Sequence, residues 1–593
     1  MAEYLSPGVY VEEFDAGIKA MEGVGTSTAG FIGMAQKGPI CGMPVLITSM
    51  ADYKRRFGGY LPERVYKEMR YLPYAVEQFF NNGGSACYVM RVCKEAKKAG
   101  GGDGSGQEDT NGAKVASGSL AAKAEGAAPF LTLTAANPGA WGNNLTASFA
   151  PFMKNRAAIT AAETAEGKFS LTIQDTSGFM EGDLVCIQYA QKDKAAAYNR
   201  IAEVQGNKIL LEWAAESGEN ATAAFLYLLE WNLAVQDETA AERYESVSFQ
   251  PDRNNFIEHA VKKSQLITAA VDANPLAAGV LEDLLGNAKE AVLTVSFAGG
   301  SDGKIEFAAS LYIGSDGAPD ARTGLMAFQT VTDVSLMAIP GITDAAVQSA
   351  LVGQCESLGN RFAILDMPFD DKEVSDLQEF REGIDSGYAA MYHPWLQCYD
   401  PLSNRNVFLP PSGFVAGIYA RTDNTRGVHK APANEVVRNC TGLSVNYNEA
   451  EQGKLNPKGI NLIRAIPGQG IRVWGARTCS SDGNWKYVNV RRLFIFIEES
   501  IRANTNWAVF EPNDEMLWSR VEGTIRVFLT TQWRNGALAG GTADEAFFIN
   551  IGKSTMTEDD ILNGRLICVI GVAPVRPAEF VIFRITQKME SAQ

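Results

Sequence analysis

The sequence predicts a multidomain α/β protein carrying a β-rich insertion, and three observations point there. The chain has 593 residues, too many for one hydrophobic core. Two stretches, 21–100 and 280–405, alternate strand-like and helix-like segments, as an α/β layer does. Between them, 129–279 holds short alternating runs divided by turn residues, the pattern of a β module or small barrel.

The first element is PGVYVEE, at 7–13. Val9 and Val11 alternate with Tyr10 and Glu12, so it reads as a strand, and a strand alone leaves its backbone donors and acceptors unpaired. A second strand is predicted at 29–34, ended by Gly38 and Pro39. A helix over 75–80, a turn over 81–84 and a strand over 87–92 follow. Residues 101–128 are rich in Gly, Ala, Ser, Lys and Glu and predict a flexible surface loop. That loop satisfies neither GxGxxG nor the spacing of a phosphate-binding loop. In the insertion, strands are predicted at 131–134, 169–173, 184–189, 209–213 and 225–229. The α/β pattern resumes with strands at 291–297, 334–339 and 362–366 and a helix over 344–358, which together predict a mostly parallel sheet covered on both faces.

Two helices stand out in the last third. Leu517, Val521, Ile525, Leu529 and Trp533 recur every four residues as one apolar stripe, with Asn513 as the expected N-cap and Asn535–Gly536 as the stop. In 491–505, Leu493, Ile497 and Ile501 share a face, but Phe494, Ile495 and Phe496 surround it, so much of its first half must be covered. The chain closes on AEFVIFRIT, at 578–586, a second strand-like segment near an end.

Charge and chemistry exclude several classes. A net charge of −16 disfavours direct nucleic-acid binding, which needs clustered Lys and Arg. No apolar run approaches the roughly 18 residues of a membrane span, the longest near the end being 566–575. No charged, apolar and small-residue succession opens the chain, so export by the general secretory route is not expected. Nine Cys without a CxxC pair predict reduced, buried thiols. His259, His393 and His429 lie far apart with no ligand spacing. GTSTAG at 25–30 has Ala29 where a nucleophile elbow needs Gly. Asp366, at a strand end, and GGSDG at 299–303 are the nearest approach to a site, with a strand-end cap and a tight turn as the plain alternatives. No catalytic residue, cofactor site or metal site is assigned.

Several stretches resemble the contractile tail sheath family of phages and phage-tail-like injection systems. They are YLSPGVYVEE with GVGTSTAGFIG, AVEQFFNNGGSACYVMRV, NPGAWGNNL, AIPGITD with RFAILDMP, LPPSGFVAGIYARTDNTRGVHKAPAN, GIRVWGARTCS, YVNVRRLFIFIEESIRANTNWAVFEPN and VRPAEFVIFRI. The likeness is weakest over about 150–290.

The resemblance implies a structural subunit, not an enzyme. It polymerises with its own copies as stacked hexameric rings in a helical sleeve around an inner tube protein. Baseplate and tail terminator proteins bound the sleeve, and contraction drives the tube through a target envelope. It also implies assembly in the bacterial cytoplasm into a virion tail or injection particle, with no direct nucleic acid and no membrane insertion by this chain. The implied fold is an α+β C-terminal sheath domain completed by the N-terminal strand, an α/β middle domain with a β-rich inserted module, and terminal strands exchanged between subunits. Its parts are an arm at 1–20, a middle domain at 21–100 and 280–405, the loop at 101–128, an outer insertion at 129–279, an inner sheath domain at 406–577 and a C-terminal arm at 578–593. Inter-subunit strands are expected at Val9, Tyr10, Val11 and Glu12 and at Phe580, Val581, Ile582, Phe583, Arg584 and Ile585. Tube contact is expected through Arg491, Arg492, Glu498, Glu499 and Arg502. The readings from other classes are a cytoplasmic α/β enzyme with a β insert and a non-contractile polymerising scaffold.

Overall fold

The computed structural model describes residues 21–96, 111–121, 128–165, 168–190, 196–212, 223–272 and 292–582. The predicted strand at 7–13 lies outside them. Nine strands form the central sheet, in the order Val45–Ile47, Cys87–Arg91, Ala29–Gly33, Leu336–Ala338, Phe362–Asp366, Ala389–His393, Ile460–Ile466, Gly470–Val473 and Glu435–Val436. The six from Cys87–Arg91 to Ile460–Ile466 run parallel, and the outer ones are antiparallel.

The strands are apolar on both faces because both are covered. Phe31, Val89, Leu336, Phe362, Ile364 and Tyr392 meet the helices Leu72–Asn81 and Ser412–Arg426. Ile32, Met90, Met337, Leu365, Met391 and Leu462 meet Ala345–Leu358 and Val374–Glu382. The first helix pair packs very closely. A Cβ on Gly413 would lie 2.6 Å from Ala75 backbone, and one on Gly417 would lie 2.5 Å from the Phe79 carbonyl. Asp344 caps Ala345–Leu358 by accepting from the Ala346 and Val347 amides, both at 3.1 Å.

The insertion contains a closed barrel. Thr146–Ala165, Lys168–Ile173, Lys208–Leu211, Ala197–Gln205, Leu184–Tyr189 and Ala223–Gln236 pair in turn, and the last pairs back onto the first. Leu171, Val185, Ile187, Ile201, Ile209 and Leu226 share a fully buried cluster in this module. Closure leaves the ring without a free edge. The 20-residue Thr146–Ala165 strand carries the insertion back toward the body. There Lys37 Nζ meets Asp237 at 2.5 Å with both side chains buried.

Three expectations change. Leu293–Ser296 is a strand but pairs antiparallel with Thr146–Ala165, so it belongs to the insertion's sheet and not to the central one. Part of 101–128 is ordered: Ser117–Ala121 pairs with Pro129–Ala135, because Ala113, Ala116 and Leu120 enter a core. The central sheet also runs through strands at 435–473, past residue 405, where the sequence places a boundary.

Candidate inter-subunit surface

The Val488–Asn504 helix joins two cores. Val488 and Ile495 enter the core on one face of the central sheet. Leu493 and Ile497 share a core with Leu517, Val521, Ile525 and Leu529 of the Glu515–Arg534 helix, four residues of the predicted stripe, and with Phe528, while Trp533, the fifth, is only partly buried against it. The N-cap of that second helix is Asp514, which accepts from the Leu517 amide at 2.9 Å. Asn513 bonds elsewhere, to Trp518 Nε1 at 2.7 Å and the Arg565 carbonyl at 3.0 Å.

Both ends of the described chain are fastened to the Val488–Asn504 helix or beside it, at opposite ends. On the incoming side, the Asn504 amide group donates to the Glu22 carbonyl at 2.8 Å, and the Val24 amide donates to Ser500 Oγ at 3.1 Å. Arg492 donates to the Thr26 carbonyl at 2.8 Å, and Thr26 Oγ1 donates to Asp423 at 2.7 Å. Gly23 has no room for a side chain, since a Cβ there would lie 2.7 Å from the Phe496 ring. On the outgoing side, the Glu579 carboxylate accepts from Arg477 at 2.6 and 2.8 Å, Asn456 at 2.6 Å and Tyr487 at 3.2 Å. Desolvation alone would raise the Glu579 pKa, but these donors outweigh it and hold it below the usual range. At 1.5 Å per residue, residues 489 and 504 stand about 22 Å apart along the helix axis.

In the same C-terminal core lies an antiparallel pair, Phe547–Ile551 with Cys568–Val572, a sheet of two strands among the described residues, with Leu538 bridging Pro574 just beyond it. One face, with Phe547 and Ile549, is buried in the C-terminal core. On the other face Phe548 and Val569 are exposed. The sequence does not mark this pair: Cys568–Val572 lies within the apolar run 566–575, and the pattern of a five-residue segment is a weak signal.

The expected contact residues separate. Val9, Tyr10, Val11, Glu12, Phe583, Arg584 and Ile585 lie outside the described residues. Phe580, Val581 and Ile582 have no strand partner among the described residues and are 73%, 69% and 79% exposed. Arg491 and Arg492 point inward, contrary to an exposed tube-facing role. Arg491 stacks on Trp485, 3.3 Å from its ring centroid, and on Tyr388. Arg492 forms a bidentate ion pair with Asp423 at 2.5 and 2.9 Å, both side chains nearly inaccessible. Glu498 and Arg502 are exposed, and Glu499 is half-buried and paired with Arg502 at 2.5 Å.

The other candidate residues hold the fold. Asp366 accepts from the Gly341 amide at 2.9 Å, the Ser412 amide at 2.8 Å and Ser412 Oγ at 2.7 Å, the strand-end cap of the plain alternative. Asp302 accepts from the Ala140 amide at 2.9 Å. Among the described residues no group of three His, Cys, Asp or Glu could hold a metal ion, and no helix is long and apolar enough to cross a membrane.

Known proteins resemble this chain in sequence and in fold. The family model for the phage tail sheath protein central domain matches residues 314–479, and that for the phage tail sheath C-terminal domain matches 480–588. A prophage major tail sheath protein of Pseudomonas aeruginosa strain UCBPP-PA14 is 28% identical over 292 residues, 47% of this chain and 73% of that one. The tail sheath protein of Escherichia phage P2 is 24% identical over 292 residues, 47% of this chain and 71% of that one. The sheath of an extracellular contractile injection system in its contracted state has the same fold, with a TM-score of 0.52 at 20% identity over 99% of each chain.

Proposed function

The chain belongs to the phage tail sheath family, of which it carries the central and C-terminal domains, and from that membership we propose that it is the structural subunit of a contractile sheath. Copies polymerise as stacked hexameric rings into a helical sleeve around an inner tube, between a baseplate and a terminator. The sleeve assembles extended in the bacterial cytoplasm and contracts to drive the tube through a target envelope. The extended sleeve is a kinetically trapped packing above a more stable one.

One observation supports the linkage between subunits: a sheet that has two strands among the described residues packs in the same core as Met21, at the beginning of the described chain. A two-stranded sheet is marginal in water and gains from added strands. The arms at 1–20 and 578–593 supply strands of the right composition, Val9–Glu12 and Phe580–Ile585. The incoming segment runs along the Val488–Asn504 helix and the outgoing one is held before its start, so the two arms set out from different places and one arm reaches one neighbour and the other arm a different one. Head-to-tail contacts of this kind build rings or open helices according to whether the rotation closes.

Electron microscopy of the purified chain tests the reading. Rings or hollow sleeves are expected; compact particles alone would favour the enzyme, and sleeves that never shorten would favour the scaffold. Deleting residues 1–14 removes no described contact, so folded monomer without polymer is expected. Polymers that form regardless would sink the arm linkage.

A further inference from the structure

Two of the nine cysteines meet in the central domain. The strand Leu396–Asp400 pairs antiparallel with Gly442–Leu443, with Gln397 opposite Gly442. The register is irregular beyond that pair: the Thr441 amide also bonds Gln397, donating to its carbonyl at 2.8 Å, which brings Cys440 level with Cys398. Cys398 Sγ donates to the carbonyl of Asn439, the residue before Cys440, at 3.1 Å, and Cys440 Sγ donates to the Gly442 carbonyl at 3.1 Å. Both side chains pack on the same core, Cys398 buried and Cys440 partly exposed. Neighbouring positions on paired strands fall within the Cα spacing that a disulfide spans, about 4.4–6.8 Å.

The loop is held in this place. Asn439 has a left-handed backbone, φ 59°, and its side chain donates to Gln78 at 2.9 Å. The Arg438 amide donates to Asn82 at 2.9 Å. The two sulfurs therefore stay together without a large search.

We propose that Cys398 and Cys440 are a reversible disulfide site, with Cys440 as the attacking thiol and Cys398 as the resolving one. Cys440 is the more accessible of the two; the neighbouring Cys398 side chain holds its pKa below the ordinary value, while the Cys398 thiol is pushed up. Cys41, the exposed cysteine, moves the other way through desolvation and the nearby Glu95 and Asp320. Burial raises Cys87, Cys355 and Cys479 as well. A thiolate is the nucleophile in exchange, so selectivity favours Cys440 over more accessible sulfur.

The co-reactant is a small-molecule disulfide such as oxidised glutathione. The Cys440 thiolate attacks one of its sulfurs, forming a mixed disulfide and releasing one glutathione thiolate. Cys398 then gives up its proton to that thiolate or to water, and its sulfur attacks Cys440, breaking the mixed bond and releasing the second glutathione. Two protein thiols are oxidised and one glutathione disulfide is reduced to two thiols. The product ties the Leu396–Asp400 strand to the loop preceding Gly442 and closes the chain between 398 and 440. Reducing compartments keep the site open and oxidising surroundings close it.

The test treats the folded full-length chain with oxidised glutathione, alkylates the remaining thiols and maps linkages by mass spectrometry. A 398–440 cross-link is expected to form at least about tenfold faster than glutathionylation of Cys41, and dithiothreitol is expected to reverse it. In Cys398→Ser a stable glutathione adduct is expected on Cys440; in Cys440→Ser, Cys398 stays unmodified. Modification of Cys41 with the pair still reduced would overturn the proposal. So would a cross-link that forms only after denaturation, or an adduct on Cys398 in the Cys440→Ser chain.

Discussion

At the scale of single residues, the Arg492–Asp423 pair decides how the beginning of the chain is held. Both charges are out of solvent and share their hydrogen bonds with Thr26, so removing one leaves the other buried and unpaired. Asp423→Ala is expected to cost about 3–5 kcal/mol, read as a lower urea midpoint. Arg492→Glu would place two carboxylates together and do worse. A midpoint unchanged in Asp423→Ala would show that the pair does not hold this region.

Two buried groups titrate in opposition. Burial lifts the Asp366 pKa to about 6 and lowers that of His393 to about 4. The Asp366 contribution is complete below its unfolded value near 4 and is lost as pH rises through about 6. That of His393 is complete above its unfolded value near 6.5 and is lost as pH falls toward 4. The two offset each other across this window. Asp366→Asn removes one side, so its stability relative to wild type is expected to fall by up to about 3 kcal/mol between pH 7 and pH 4. A pH-independent difference between the two proteins in urea unfolding would contradict this.

At the scale of elements, the hairpin Phe547–Ile551/Cys568–Val572 is the piece to perturb. Phe548 and Val569 face solvent, so Phe548→Lys with Val569→Lys is expected to leave monomer stability within about 1 kcal/mol while reducing polymer yield in sedimentation. Polymer yield equal to wild type would remove the hairpin as the receiver of a neighbour's arm. Its role was not legible in the sequence, where its strands are five residues each and 16 residues apart. What was legible shared one property: a repeated local pattern. The apolar runs 184–189 and 362–366 fall on strands with those same bounds, and the fourfold stripe from Leu517 to Leu529 is buried. The burial of Arg491 and Arg492 was illegible because their partners, Trp485, Tyr388 and Asp423, come from three separate segments. Barrel closure likewise depends on pairing distant residues, such as Phe225 with Ala158 and Gln236 with Thr146.

At the scale of the whole molecule, charge limits how a subunit of the proposed kind would meet an inner tube. With Arg491 and Arg492 committed inside, the exposed charges of the Val488–Asn504 helix are Glu498 and Arg502, with Glu499 half-buried beside them. A contact built on these would be salt-sensitive. Glu498→Lys with Arg502→Glu is expected to leave polymers of the chain intact and to lower the fraction of sleeves that contain a tube, counted by electron microscopy. Tube-filled sleeves at the wild-type frequency would place the contact elsewhere.

The Val488–Asn504 helix also sets a constraint on motion. It is 17 residues of continuous hydrogen bonding, stiff on the scale of the contacts at its two ends. A net whose knots sit on such spars cannot shrink by drawing its knots together. It can lose height only by shearing its meshes, and each mesh that flattens along the axis must spread around the circumference. Shortening and widening then become one motion, so a sleeve of these subunits would grow in girth as it spends its length.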